Sequence, residues 1–337
     1  MGLPSPFSSP RMVMPTTSFH DRKPVQGSLV WWLRFLGAAA FIIVLLRLPT
    51  SQEVRLSHID LRWLGWCMLL TILQLLLEAF VWQWLLATQR LRHPYPKTIL
   101  AYLASQYLGL VTPGHVGQFL AAGYVSAETG ITFGYALSSV VMKKILSWVV
   151  VVSFGVWSLP LLVQVPVLQG VRWVVVASVA VLIVLSAGIA LWVVSLRRLA
   201  RKWEKLSPWK IDMTEFWAGM RNLCSLNLVI PLSVCALAFS LLFLQLDAVL
   251  RALGLTLPLI LVAKIAAFSR IVARAVPISV VGFGSKDAAV IGMLAQRGIE
   301  PSLGLSATLL LLVCTYLVTL LLSGLCWWIK PLVIRHT

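Results

Sequence analysis

Long apolar runs alternate with short polar segments along most of this chain. The hydrocarbon layer of a bilayer is roughly 30 Å thick, and a helix of about 20 apolar residues can cross it. Six runs reach that length: 29–48, 63–87, 145–168 (with an alternative start near 133), 171–195, 225–250 and 302–329. The pattern predicts an all-α polytopic membrane protein with six full transmembrane helices in a single domain, residues 28–330.

Two further apolar stretches, residues 97–127 and 257–297, are broken in the middle by Pro and Gly. Broken helices line substrate sites in transporters, because unwound backbone offers polar contacts inside the bilayer. The residues at the breaks are Pro113, Gly114, Gly117, Pro277, Gly282 and Gly284. We interpret each stretch as a re-entrant helical hairpin. Kinked full spans are the alternative, because Gly and Pro are common in transmembrane helices.

The two broken stretches are similar to each other. Gly130 and Gly298 are each followed by Ile, and the interval between them equals the interval between Ser138 and Ser306. Upstream of these residues, the two stretches align if the interval between them changes by one residue. Three predicted spans separate the stretches, an odd number, so two hairpins would enter the membrane from opposite sides. The sequence therefore predicts an inverted repeat.

Basic residues define the predicted orientation in the cell membrane. The chain has 28 Lys and Arg against 11 Asp and Glu, a formal net charge of +17. The positive charge concentrates before the first span, at 90–97, at 196–224 and after the last span, and cytoplasmic loops carry such an excess. We predict that both termini are cytoplasmic, with residues 1–27 as a disordered tail and residues 331–337 as a second tail.

The segment 196–224 combines its charge with apolar residues at helical spacing. This combination predicts an interfacial amphipathic helix on the cytoplasmic side. The helix would act as an orientation anchor or, alternatively, as a binding site for anionic headgroups.

Motifs for soluble chemistry are missing from the sequence. The five cysteines have no C-x-x-C or metal-ligand spacing, and the five histidines form no H-E-x-x-H motif. The basic charge lacks the aromatic or helix-turn-helix patterns of nucleic-acid readers, and the sequence has no nucleotide-binding loop or nucleophile elbow. We therefore predict no metal, no cofactor, no nucleic-acid partner and no enzymatic activity.

Several charged residues fall within the apolar stretches. Arg270 and Arg274 share one helix face, about 20 Å along a helix that starts near Leu257. A charge at that depth is costly unless it faces a cavity or a partner, and guanidinium groups bind phosphate through paired hydrogen bonds. Snorkelling to the surface is the alternative. The predicted headgroup-binding residues are Arg270, Arg274, Lys286, Asp287, His115, Gln118, Lys143 and Lys144.

The depth of Lys143 and Lys144 depends on where their helix begins. A start near Thr132 places both inside the bilayer, whereas a start at Ile145 places them at its cytoplasmic interface. Both starts fit the apolar pattern.

Three acidic residues accompany these cations. Asp287 follows Gly284 and would cap a helix, pair with Arg274 or carry a proton. Glu78 and Asp247 lie inside apolar runs and need partners there, for which we expect the arginines and lysines above.

The motifs at the two breaks resemble those of a known family. Pro-Gly-x-x-Gly at 113–117, followed by Gln118, and Gly-x-Gly-x-x-Asp-Ala-Ala at 282–289, after Pro277, are similar to the flippase-like membrane region of lysylphosphatidylglycerol synthases. The resemblance spans roughly residues 30–330. It implies translocation of an anionic or aminoacylated lipid, or a role beside a separate lipid-modifying enzyme.

The chain departs from that family at several acidic positions. Arg and Glu are usual where this sequence has His115 and Gln118, and a Glu-Arg pair with an Asp is usual where it has Lys143, Lys144 and Ser147. A mechanism that depends on those carboxylates is therefore not expected. The lysine-transferring soluble domain of the full synthases has no counterpart in this sequence, so we do not expect the chain to make lysyl-lipid itself.

These features together predict a lipid translocase that moves an anionic or phosphate-linked lipid, with membrane lipids as its partners. One alternative is an accessory or scaffold protein for a lipid- or envelope-modifying enzyme. Another is an intramembrane transferase that uses Asp287 or Glu78 as a base.

Overall fold

The computed structural model describes residues 59–91, 93–159, 213–224, 228–275, 279–280 and 283–329. These residues are helical apart from short connections and one pair of two-residue strands. The predicted spans 29–48 and 171–195, both tails, Pro277 and Gly282 lie outside the described residues.

Ten α-helices make up the described part of the chain. They are α1 (Leu61–Thr88), α2 (Tyr95–Val111), α3 (Ala121–Thr129), α4 (Phe133–Ser158), α5 (Met213–Leu223), α6 (Val229–Ala252), α7 (Leu259–Ala275), α8 (Ser285–Ala295), α9 (Pro301–Leu312) and α10 (Val318–Ile329). A 3₁₀ segment, Pro113–Leu120, joins α2 to α3. Strand β1 (Ser279–Val280) pairs antiparallel with β2 (Phe283–Gly284) between α7 and α8. One turn of π-helix, Val313–Leu317, joins α9 to α10.

Four of the described helices are long and apolar enough to cross a membrane: α1, α4, α6 and the continuous helix α9–α10. The protein is therefore a polytopic helical membrane protein, as predicted. The third predicted span begins at Phe133 and not at 145, because Thr132 caps the helix by accepting from the Tyr135 amide. Large apolar side chains such as Leu69, Leu237 and Leu321 are at least half exposed on these helices, as lipid-facing residues would be.

The helix boundaries repeat along the chain. The interval from the start of α1 at Leu61 to the start of α6 at Val229 equals the interval from the start of α4 to the start of α9. Helices α2 and α7 begin closer together, so the slippage is larger than the single residue predicted. The additional slippage comes from helix length, because α1 has 28 residues and α6 has 24. The second break compensates for this difference in length.

The two repeats run in opposite directions. Helices α1 and α6 are antiparallel, and the Asp60 amide donates to the Ala252 carbonyl over 3.2 Å. We call this level the Asp60 end of the molecule. The opposite level, the Gln89 end, is where α1 finishes and α4 begins, and there Gln89 Nε2 donates to Ser138 Oγ over 2.6 Å.

Each broken stretch opens to a different end. The first begins and finishes at the Gln89 end, where His93 Nε2 lies 3.2 Å from Glu128 Oε2. The second begins at the Asp60 end, where Lys264 Nζ of α7 lies 5.6 Å from the ring centroid of Trp157, near the end of α4. The two stretches therefore enter the described helix bundle from opposite ends.

Equivalent helix pairs make equivalent contacts. Helix α4 packs on α7 and α10 packs on α2. A Cβ on Gly155 of α4 would lie 2.6 Å from Ile271 Cδ1, whereas a Cβ on Gly324 of α10 would lie 3.5 Å from the Tyr107 ring. Tyr107 and Ile271 coincide when the starts of α2 and α7 are aligned. This agreement extends the repeat from the helix boundaries to the packing between helices.

Two glycines close equivalent helices in the two repeats. Gly130 follows α3 with φ 71° and Gly298 follows α8 with φ 78°, both in the left-handed region. Because an L-residue pays roughly 1–2 kcal/mol there, we expect Gly130→Ala and Gly298→Ala each to lower the free energy of unfolding by about 1 kcal/mol. Thermal unfolding in detergent measures both losses.

The matched control is Gly292→Ala inside α8, where an added Cβ meets nothing within 4 Å. Alanine favours a helix over glycine by up to about 1 kcal/mol, so this variant should be neutral or stabilised. Losses of clearly different size at Gly130 and Gly298 would contradict their equivalence.

Candidate functional site

Glu78 lies in the middle of α1 and connects four helices. Lys143 Nζ of α4 lies 3.2 Å from Glu78 Oε2, and the Tyr102 hydroxyl of α2 donates to the same oxygen. Gln74 Nε2 donates to Glu78 Oε1 over 3.1 Å, and Gln245 Nε2 of α6 donates to Gln74 Oε1 over 2.9 Å. The expectation that Glu78 pairs with one of the predicted cations is confirmed.

Lys143 and Lys144 lie deep in the helix bundle. Helix α4 begins at Phe133, so both residues are about 15 Å along its axis. Lys143 Nζ lies 3.9 Å from the centroid of the Tyr102 ring. Lys144 Nζ donates to Gln118 Oε1 in the first break. Of the two predicted starts for this helix, the one near Thr132 is therefore correct.

The first break folds back against the helix that precedes it. Thr112 Oγ1 donates to the Leu108 carbonyl over 2.7 Å and accepts from the Gly117 amide over 2.8 Å. Gln118 Nε2 donates to Gln106 Oε1 over 2.7 Å. These bonds fix the amide of Gln118 at the point where Lys144 reaches it.

Three predicted residues of this break, Pro113, Gly114 and His115, lie in the 3₁₀ segment. A headgroup contact by His115 stays a prediction.

Arg270 and Arg274 project from the second half of α7. Arg274 is about 22 Å along the helix axis from Leu259, and its Cζ lies 4.7 Å from the centroid of the Trp148 ring of α4. Arg270 interacts electrostatically with Asp287 and Glu78. Among the described residues, no carboxylate forms an ion pair with either arginine.

Lys286 and Asp287 occupy the first turn of α8. Asp287 is only 3% exposed, and its Oδ2 accepts from the Gly284 amide over 2.8 Å. This is the capping role that the sequence offered as one alternative. The ion pair with Arg274 does not form within the described part of the chain. Lys286 interacts electrostatically with both Arg270 and Asp287.

Asp247 has a partner that the sequence analysis did not name. Its Oδ2 lies 2.7 Å from Nε of Arg251, one turn later on α6. The guanidinium of Arg251 also lies 5.2 Å from the centroid of the Trp63 ring. The prediction that Asp247 pairs with one of the predicted cations is therefore wrong. Arg251, four residues later on the same helix, is nearer and directs the Asp247 carboxylate toward the Asp60 end.

The predicted charges meet between the two breaks, apart from Asp247. We call this group the central cationic cluster. It consists of Lys143, Lys144, Arg270, Arg274 and Lys286, with the carboxylates Glu78 and Asp287. Five cations face two carboxylates, a formal excess of three positive charges. Such a group can hold the oxygens of an anionic ligand through charged hydrogen bonds.

Sequence reasoning missed the uncharged members of the site. Tyr102, Gln74 and Gln106 hydrogen-bond to cluster residues or to their partners, and Trp148 stacks on Arg274. Each is a polar or aromatic residue within a long apolar run, which is the signal that could have identified it. Within the described residues, no group of three or more His, Cys, Asp or Glu could hold a metal ion.

A comparison with family models places the chain among membrane proteins. The model described as the lysylphosphatidylglycerol synthase TM region matches residues 31–323. This range covers most of the chain, including both breaks and the central cationic cluster. No curated protein and no solved structure matches the chain significantly.

Proposed function

The chain belongs to the lysylphosphatidylglycerol synthase transmembrane-region family, and we propose that it is a translocase that moves an anionic, phosphate-linked lipid across the cell membrane. In this proposal the stretches 97–127 and 257–297 are re-entrant hairpins, and residues 29–48 and 171–195 supply two further spans. Both termini are cytoplasmic. The observation that carries the proposal is the central cationic cluster between two helix breaks that open to opposite ends of the molecule.

The position of the cluster suits a headgroup that must cross the low-dielectric layer. An anionic headgroup loses its hydration on entering the bilayer, and cations within the helix bundle replace the lost water contacts. Lys143 and Arg274 lie about 15 Å and 22 Å along their helices, which begin at opposite ends. A headgroup from either leaflet would therefore reach the same group of cations, while its acyl chains stay in lipid.

The Gln89 end is the cytoplasmic end in this proposal. The basic segment 196–224, whose residues 213–224 are described at this end, supports the assignment under the positive-inside rule. Helix α5 packs against α4 at this end with Phe216 and Leu223 buried and its polar face outward. This arrangement fits the predicted amphipathic segment, of which residues 213–224 are described.

A lipid-scrambling assay tests the function. The full-length protein is reconstituted into liposomes that contain fluorescent phosphatidylglycerol or phosphatidic acid, and dithionite in the bulk reports the fraction that reaches the outer leaflet. We expect the wild-type protein to accelerate movement. We expect Arg270→Ala and Arg274→Ala each to slow it about tenfold or more, since a hydrogen bond to a charged group contributes about 1.5–3 kcal/mol.

Lys264→Ala is the matched control, because Lys264 is a cation on the same helix but lies near the Asp60 end against Trp157. Its rate should equal that of the wild type. Size-exclusion elution and thermal unfolding establish that each variant is folded before its rate is compared. Unchanged movement in the Arg270→Ala, Arg274→Ala double variant, or equal slowing by the control, would remove the cluster from the mechanism.

A further inference from the structure

The charge balance of the central cationic cluster indicates which class of lipid it would hold. We propose that the cluster selects a headgroup with two or more negative charges and no cationic group, a lipid phosphomonoester or diphosphate, over a phosphodiester or aminoacylated headgroup. The inference rests on the proposed function, because it names the ligand of the same site.

The two carboxylates of the cluster are already occupied. Glu78 accepts from Lys143, Tyr102 and Gln74. Asp287 accepts from the Gly284 amide as the cap of α8. Of the five cations, only Lys143 therefore has a carboxylate at ion-pair distance within the described part of the chain.

The described chain holds five further carboxylates, and none forms an ion pair with a cluster cation. Glu215 lies in α5 and Glu300 directly precedes α9, and the other three are engaged away from the cluster. Asp60 caps α1 by accepting from the Arg62 amide. Glu128 lies beside His93 and Lys97 at the Gln89 end. Asp247 pairs with Arg251. None of these compensates the excess positive charge between the breaks.

The unpaired cations are held by groups that do not neutralise them. Arg274 stacks on Trp148, and Lys144 donates to the neutral amide of Gln118. A ring face orients a guanidinium without using its N–H donors, and an amide oxygen occupies only one of three ammonium donors. Arg274 is exposed, and Lys144, Arg270 and Lys286 are half-buried. Their remaining donors are therefore accessible to a ligand.

The positive charge is divided unevenly between the repeats. Lys143 and Lys144 with Glu78 give the first repeat an excess of one, and the residues of the second repeat, Arg270, Arg274, Lys286 and Asp287, give an excess of two. Gln106 coincides with Arg270 when the starts of α2 and α7 are aligned, and Gln118 coincides with Lys286 when Gly130 is aligned with Gly298. In the first repeat these positions form a neutral amide pair, Gln118 Nε2 to Gln106 Oε1. The second repeat places two cations there. This asymmetry favours one strongly anionic ligand at the second break over two equivalent weak ones.

The charge of the ligand follows from the need to compensate the excess positive charge of the cluster. A phosphodiester carries one negative charge and leaves an excess of about two positive charges in a low-dielectric site, which is costly. An aminoacyl group adds positive charge and makes the balance worse. A phosphomonoester carries about −1.5 to −2 at pH 7, and a diphosphate carries more, so both come closer to neutrality.

Lipid binding to the full-length protein in detergent tests this selectivity. The probes are phosphatidic acid, phosphatidylglycerol, lysyl-phosphatidylglycerol and phosphatidylcholine with identical acyl chains, and native mass spectrometry counts the bound lipid at each concentration. We expect Kd for phosphatidic acid to be about tenfold lower than Kd for phosphatidylglycerol, with the other two weaker still. The preference should fall to about twofold or less in Lys144→Gln, Arg274→Gln.

Lys264→Gln is the control, and it should keep the wild-type preference. Equal affinity for phosphatidic acid and phosphatidylglycerol, or tightest binding of the lysyl lipid, would overturn the inference. Displacement of phosphatidic acid by an equal concentration of inorganic phosphate would also overturn it, because the site would then take a free anion.

Binding and transport separate the two proposals. A tenfold preference for phosphatidic acid in a protein that moves no lipid would contradict the proposed translocase function and support the proposed ligand class. Transport of phosphatidylglycerol without any preference for phosphatidic acid would support the translocase function and contradict the ligand class.

Discussion

Glu78→Gln is expected to lower the free energy of unfolding by about 3 kcal/mol, because it leaves Lys143 without its carboxylate in the interior of the bundle. Breaking a buried ion pair by removing one partner typically costs about 3–5 kcal/mol. The side chain of Glu78 is 32% exposed and that of Lys143 is 13% exposed, so we expect a loss near the lower limit of this range. The loss also disturbs the hydrogen bond from Tyr102. Denaturant-induced unfolding in mild detergent measures the change.

A double-mutant cycle separates the ion pair from simple loss of packing. Lys143→Met should be destabilised by a similar amount, whereas Glu78→Gln, Lys143→Met should recover most of the loss, because replacing both partners removes the unpaired charge. Asp247→Asn is the matched control, since its partner Arg251 is 37% exposed and pairs of that kind contribute about 1 kcal/mol or less. Additive losses in the double variant would contradict the interpretation.

Hydropathy predicted the long helices closely where no pair of adjacent charges interrupted them. The predicted runs 63–87 and 302–329 correspond to α1 and to α9–α10 within two residues. One of the two predicted starts of α4, at Ile145, is wrong. It was predicted because Lys143 and Lys144 interrupt the apolar run in the sequence. In the structure Glu78 and Gln118 satisfy these cations, and the helix continues past them.

The breaks were predictable, but most of their partners were not. Pro and Gly located both interruptions, because these residues disfavour continuous helix. The Glu78–Lys143 pair joins residues 65 positions apart, and no local pattern encodes the packing of α1 on α4. The pair of Asp247 with Arg251 differs, because a spacing of four residues on one helix could have identified it.

The repeat was visible in the sequence only downstream of the breaks. Gly130 and Gly298 share a left-handed backbone that favours glycine, so their identity is constrained in both halves. Upstream, the contact of Tyr107 with Gly324 and the contact of Ile271 with Gly155 fill equivalent positions with different side chains. Packing preserves the geometry of such contacts while the residues change, so sequence similarity is lost there first.

Gly117→Ala is expected to destabilise the first break by about 2–3 kcal/mol, the upper part of the range for overpacking. A Cβ on Gly117 would overlap the carbonyl carbon and oxygen of Leu108 and lie 2.8 Å from the Gly109 amide nitrogen. All three atoms are backbone of α2, so no side chain can turn away. Displacing the segment would also break the hydrogen bond between the Gly117 amide and Thr112. Thermal unfolding in detergent measures the loss.

Two other glycines show whether this loss comes from the backbone clash. Gly109→Ala would meet the flexible side chain of Gln118, so it should cost less than Gly117→Ala. Gly65→Ala, inside α1, meets nothing within 4 Å and should be neutral or stabilised by up to about 1 kcal/mol. If Gly117→Ala were as stable as Gly65→Ala, the first break would not pack on α2 at this point. The position of Gln118 beside Lys144 would then lose its backbone support, because Thr112 and Gly117 are what hold that amide in place.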